Sequence, residues 1–169
     1  MPVLKLEHLD DAGFAPFGEV IEMRGDDRSL INNGSAQRYS RYGTVRVGGD
    51  DAFAGISLVR GQAFNFPLTI TMLERHLLGS QSWMSFNHTP FVAVVAPDGA
   101  DGRPDETHIR GFYVEGNQGV NYHPGAWHHP LLALGQQGDF IVVDRISATP
   151  DCDTCNLSRS YLIDGSFID

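Results

Sequence analysis

Cysteine is scarce: two residues among 169, so no disulfide framework holds this fold together. Cys152-x-x-Cys155 is half of a four-ligand zinc site with no second half, and it reads as incidental thiols, a redox pair or a disulfide. Basic residues are few as well, 12 against 21 acidic ones. A net charge of −9 excludes a nucleic-acid partner and an anionic membrane surface, since both require a basic face. No apolar run approaches the length of a membrane span, and the start of the chain lacks a basic-then-apolar signal pattern. A cytoplasmic protein is therefore expected. Internal repeats, low-complexity tracts and linkers are missing too, so residues 1–169 are read as one domain.

Turn formers, by contrast, are plentiful: 19 Gly and 9 Pro. They separate short apolar or alternating runs at 3–9, 18–22, 43–47, 55–60, 64–72, 80–86, 91–96, 109–115, 119–123, 129–134 and 140–146. Strands at this regular spacing predict an all-β sandwich or closed barrel. No helical period runs long enough for a crossover between parallel strands. One or two helical turns are expected at 10–16, another at 104–108, and a turn at 25–28.

Four of the seven histidines fall in two short blocks. In the first, extended backbone puts Glu74 and His76 on one face, and Gln81 returns to that face after a bend. Polar groups on the inner face of a small barrel need partners, which a metal, a substrate or each other can supply. The second block, residues 119–130, gathers Tyr122, His123, Trp127, His128 and His129 around a Pro-Gly turn. That turn brings two strand ends together, and one residue of each adjacent pair must face inward. Imidazoles suit proton transfer or metal ligation at neutral pH. His8, His88 and His108 read as ordinary structural histidines, and Trp83 and Trp127 as walls or core.

Glu74-x-His76 with Gln81, followed by Gly119 and by Pro124-Gly125-x-x-His128, resembles the two cupin motifs. Glu74 stands where the first motif has His, Gln81 where it has Glu, and His123 where the second has Pro. A closer likeness is to the ureidoglycolate lyase family. It rests on Ile31-Asn-Asn-Gly34, Pro67-Leu-Thr-Ile70, Leu73-Glu-Arg-His76 with Gln81, Gly119-Val-Asn-Tyr-His123, Trp127-His-His-Pro130 and the stretch from Asp139 to Arg145. The likeness runs to about Arg145 and is weakest over the last twenty or so residues. It implies a cupin-like double-stranded β-helix, or jelly-roll barrel, with a few short helical turns, and a homodimer. It implies cleavage of (S)-ureidoglycolate to glyoxylate and urea during allantoin breakdown. No organic cofactor is expected. A divalent metal, nickel by the resemblance, would sit on Glu74, His76, Gln81 and His128. Acid–base candidates are Glu74, Tyr122, His123 and His128. Asn32, Asn33, Arg38 and Arg75 are candidates for holding the substrate, although alternation points Arg75 away from Glu74 and His76. Two other readings compete: a metal-dependent cupin oxygenase or isomerase, and a non-catalytic cupin that binds a small acid.

Overall fold

The computed structural model describes residues 1–25, 28–40 and 42–168. Its strands are β1 (Leu6–His8), β2 (Gly18–Ile21), β3 (Arg28–Ile31), β4 (Ala36–Tyr39), β5 (Phe53–Gly61), β6 (Leu68–Arg75) and β7 (Gln81–Ser85). They continue with β8 (Phe91–Ala96), β9 (Arg110–Val114), β10 (Gly119–Tyr122), β11 (Trp127–His128), β12 (Leu132–Ala133), β13 (Gly138–Ile146) and β14 (Asp153–Ile163). A single α-helical turn, α1 (Asp11–Phe14), is capped by Asp10, whose side chain accepts from the Gly13 amide at 2.7 Å. A 3₁₀ turn at Glu106–His108 is capped in the same way by Asp105. The short helical turns expected from the sequence thus form. The turn expected at 25–28 includes Asp26 and Asp27, which lie outside the described residues.

Two sheets carry the fold. The larger has the order β1-β9-β8-β11-β6-β14, with β12 also paired to β8. The smaller runs β2-β10-β7-β13-β5. Curled together they make the all-β, cupin-like barrel. The uninterrupted apolar run of β8 is explained by burial on both faces. Phe91, Ala93 and Val95 point between the sheets, where they join Phe112, Val120, Tyr122 and Phe140. Val92, Val94 and Ala96 point the other way and pack with Leu6, Ile70, Leu73, Trp127 and Ile163.

Three local expectations change. Residues 43–47 do not form a strand; the chain there is tied to the 78–80 turn by a single bridge, Val47 to Gly79, and by the hydrogen bond from Gly48 N to Leu78 O. Of the run 129–134 only Leu132–Ala133 is strand (β12); β11 ends before it at His128, and Pro130 between them has no amide hydrogen for the ladder. Beyond residue 146 the sequence pattern is mostly polar, yet β14 is an eleven-residue strand paired along β6, with an irregularity between Asn156 and Tyr161. No helix among the described residues is long and apolar enough to cross a membrane.

The core between the sheets depends on aromatic packing. Phe112 is fully buried and meets Phe14 edge to face at 5.4 Å. Replacing it with alanine is expected to cost about 3–5 kcal/mol, measured as a lowered urea midpoint with an unchanged denaturant slope.

Candidate functional site

The site is built by strand pairing. β11 lies between β8 and β6, and its His128 sits directly opposite Glu74. The inward pleat aims both side chains into the end of the barrel, and His76 follows Glu74 just past the end of β6. One ligand atom from each of Glu74, His76 and His128 lies within 4.8 Å of the others. The small sheet closes the opposite wall: Tyr122 on β10 pairs with Gln81 on β7, and the Tyr122 ring stacks on His128 at 4.2 Å with an interplanar angle of 11°.

Hydrogen bonds orient each imidazole. His128 Nδ1 donates to the Ala126 carbonyl at 2.9 Å, and His76 Nδ1 donates to the Asp151 carbonyl. A carbonyl can only accept, so both rings carry their proton on Nδ1 and present the Nε2 lone pair to the centre. His128 Nε2 is buried and meets no hydrogen-bond partner among the described residues, while Glu74 Oε1 stands 3.7 Å away. Burial, reinforced by neighbouring His76 and His129, overrides the hydrogen bond to Ala126 and pushes the His128 pKa down to about 3. Its imidazole is therefore neutral, the form a metal needs. Burial and the Glu74 charge push the Tyr122 phenol up, so it keeps its proton.

Two imidazoles and a carboxylate form a two-His-one-carboxylate set that fits a divalent transition metal. The void lined by Glu74, Gln81, Tyr122 and His128 is about 10 Å³, room for one ion or one water. Gln81 has a different part from the ligand role read from the sequence. Its Oε1 accepts from Trp83 Nε1 at 2.8 Å, which turns its amide nitrogen toward His76 Nε2 at 3.3 Å. In this arrangement Gln81 donates to His76 Nε2, the same lone pair that His76 would offer a metal.

The remaining candidates lie elsewhere. His123 faces Glu19 at 3.8 Å and lines a separate cavity with Arg24 and Tyr42, since alternation turns it opposite to Tyr122. Arg75 is on the far face of β6, paired with Asp98 and Asp153 and stacked over Trp127. Asn32 and Asn33 form the left-handed turn of the β3–β4 ribbon, exposed like Arg38 on β4. The structure does not bring these five side chains to the cluster.

Sequence reasoning missed the loop before β14. Asp151 not only holds His76 but accepts from the Leu77 and Leu78 amides through its carboxylate, at 2.8 and 2.9 Å. Cys152, exposed and free, lies with its Sγ 3.8 Å from Glu74 Oε2, while Cys155 is buried in the core. No spacing rule connects residues so far apart in sequence; only the pairing of β14 with β6 does.

Nickel titrated into metal-free protein is expected to bind one equivalent per chain by calorimetry, and His76→Ala or His128→Ala to weaken binding by about tenfold or more. Without metal, the stability associated with neutral His128 is complete above an unfolded imidazole pKa of about 6.5. It is lost as pH falls toward about 3, because the unfolded chain takes up a proton that the folded one excludes. Urea unfolding at pH 7 and pH 5 should show wild type losing up to about 2 kcal/mol more than His128→Leu.

Comparison with known proteins matches this geometry to a family. The family model described as ureidoglycolate lyase matches residues 1–164, so the match includes β14 and extends past the point where the sequence likeness was expected to fade. A ureidoglycolate lyase of Azotobacter vinelandii is 47% identical over 153 residues, covering 90% of this chain and 91% of its own. One from Pseudomonas fluorescens strain Pf-5 is 46% identical, covering 90% of both. One from Pseudomonas syringae pv. syringae is 45% identical over 163 residues, covering 96% of this chain and 95% of its own. The chain belongs to the ureidoglycolate lyase family.

Proposed function

We propose that this protein cleaves (S)-ureidoglycolate into glyoxylate and urea. Family membership supports the substrate, and one observation carries the chemistry: the buried, unpartnered Nε2 of His128 converging with His76 and Glu74. The substrate is a carbinolamide. Its collapse requires the hydroxyl to lose a proton, the C–O bond to become a carbonyl, the C–N bond to break, and the departing urea nitrogen to gain a proton.

The residues of the barrel end divide these tasks. Glu74 takes the hydroxyl proton; its Oε1 faces His128 and its Oε2 faces Cys152, so the two oxygens occupy different settings. Tyr122, held protonated by burial, gives a proton to the leaving nitrogen and recovers it from Glu74 after the products separate. His128 stays neutral, and the β6–β11 pairing sets its imidazole opposite Glu74. The metal, nickel by family resemblance, would be held by Glu74, His76 and His128 and would polarise a substrate oxygen as a Lewis acid. The reading extends to a cytoplasmic homodimer. Edge strand β5 supports the dimer, with Ile56 and Leu58 more than two-thirds exposed.

The test is urea release from racemic ureidoglycolate, with and without chelator. Wild type is expected to consume one enantiomer, and Glu74→Gln and His128→Ala to lose about 100-fold or more in kcat/KM with the fold intact. Full activity in either variant removes the assigned site. Saturable binding without urea release favours a non-catalytic binder, and turnover of another acid favours a cupin oxygenase or isomerase.

A further inference from the structure

Next to the ion-sized void lies a second, larger cavity of about 180 Å³, whose lining includes His76, Gln81, Asp144, Arg145, Ser147 and Asp151. Gln81 is a wall common to both. The cavity is open on one side and has the dimensions of a small acid, several waters in volume. Asp144 reaches it through the alternation of β13. Phe140 and Val142 are buried on the inner face, and Asp144 continues that face by one more step of two. The β13–β7 ladder pairs Val143 with Ser82, so one step further Asp144 lies beside Gln81, which is itself paired with Tyr122. Tyr122, Gln81 and Asp144 thus form one polar row across the small sheet at the site end.

Asp144 Oδ1 is buried and has no hydrogen-bond partner among the described residues. Its neighbour Arg145 is held elsewhere, with Nε donating to the Gly48 carbonyl at 2.8 Å and Nη1 to the Thr149 carbonyl at 3.0 Å. Asp144 is also outside the group of atoms that can share a metal with Glu74. A carboxylate oxygen accepts, so a half-buried Asp144 on the cavity wall, with Oδ1 buried and unpartnered, calls for a ligand that brings donors. A ureido group offers two parallel N–H donors on one edge, spaced to meet both carboxylate oxygens as a fork.

We propose that Asp144 is a specificity-determining residue that binds the ureido N–H edge of the substrate in this cavity, leaving the carboxylate and hydroxyl end toward Glu74, His76 and His128. The identity of the ligand rests on the ureidoglycolate reading. Asp144 positions the leaving group; it takes no proton in the reaction. It also selects against acids that lack the ureido group, because these leave its buried oxygen unpaired.

The experiment measures binding by calorimetry with three unreactive or product-like acids: oxalurate, which keeps the ureido edge, and oxamate and glyoxylate, which lack it. Wild type is expected to prefer oxalurate to oxamate by about tenfold or more. Asp144→Asn, which turns a donor toward donors, is expected to lose about 10- to 100-fold in oxalurate affinity while glyoxylate changes less than about threefold. With ureidoglycolate the loss should fall mainly on KM, with kcat less affected. Equal losses for oxalurate and glyoxylate, or no loss for either, overturn the proposal. Equal wild-type affinity for oxalurate and oxamate overturns it even if the variant does not fold. Asp144-dependent oxalurate binding by a protein that releases no urea from ureidoglycolate sustains the subsite and refutes the catalytic reading; urea release with unselective binding does the reverse.

Discussion

The opposition of His128 and Glu74 across β11 and β6 is the constraint on which the rest of the site depends. A two-residue strand, wedged between β8 and β6, fixes the register by backbone hydrogen bonds on both sides. A slip of one residue would turn His128 outward and bring His129 in, and it would also exchange the packing of Trp127. The buried imidazole accepts this position at the cost of a lone pair with nothing to hold, and burial keeps it neutral. Such a group is expensive in a folding sense and useful in a chemical one.

Around this pair the fold separates tasks by face. The outer face of the large sheet takes Arg75, which is stacked on Trp127 and paired with two aspartates, so a cation only one residue from Glu74 does not neutralise it. The inner face takes the titratable groups at the barrel end and aromatic packing below them. The loop before β14 then crosses the mouth, where Asp151 fixes both His76 and the backbone of the 77–78 turn. The result is an ion-sized void beside a substrate-sized cavity, with Gln81 between them.

Much of this was legible in residue order. Alternation in β6 put Glu74 and His76 together, turned Arg75 away, and required one of each His pair to face inward. Gly and Pro spacing marked most of the strands. Other parts were hidden for definite reasons. Trp83 read as wall, yet its indole N–H decides which end of the Gln81 amide faces His76. β14 escaped because Asp153–Ile163 has too few apolar residues to stand out; its partner is β6, about eighty positions earlier. Asn32 and Asn33 were singled out from a family block and Arg38 as a nearby cation, and the chain places them on a ribbon away from the cluster.

The sequence by itself determined the all-β class, the two histidine blocks and the acidic balance, because these follow from local periodicity and composition. Which histidine of the second block joins the site was decided only by tertiary structure. His128 enters and His123 does not, since adjacent strands set the direction of each pleat. The same holds for Asp151 and Cys152, which meet the cluster, and for Asp144, which lines the adjoining cavity, through strand pairings that no local pattern encodes. Register between distant strands is a property of the packed sheet, fixed by hydrogen bonds and burial summed over the whole barrel.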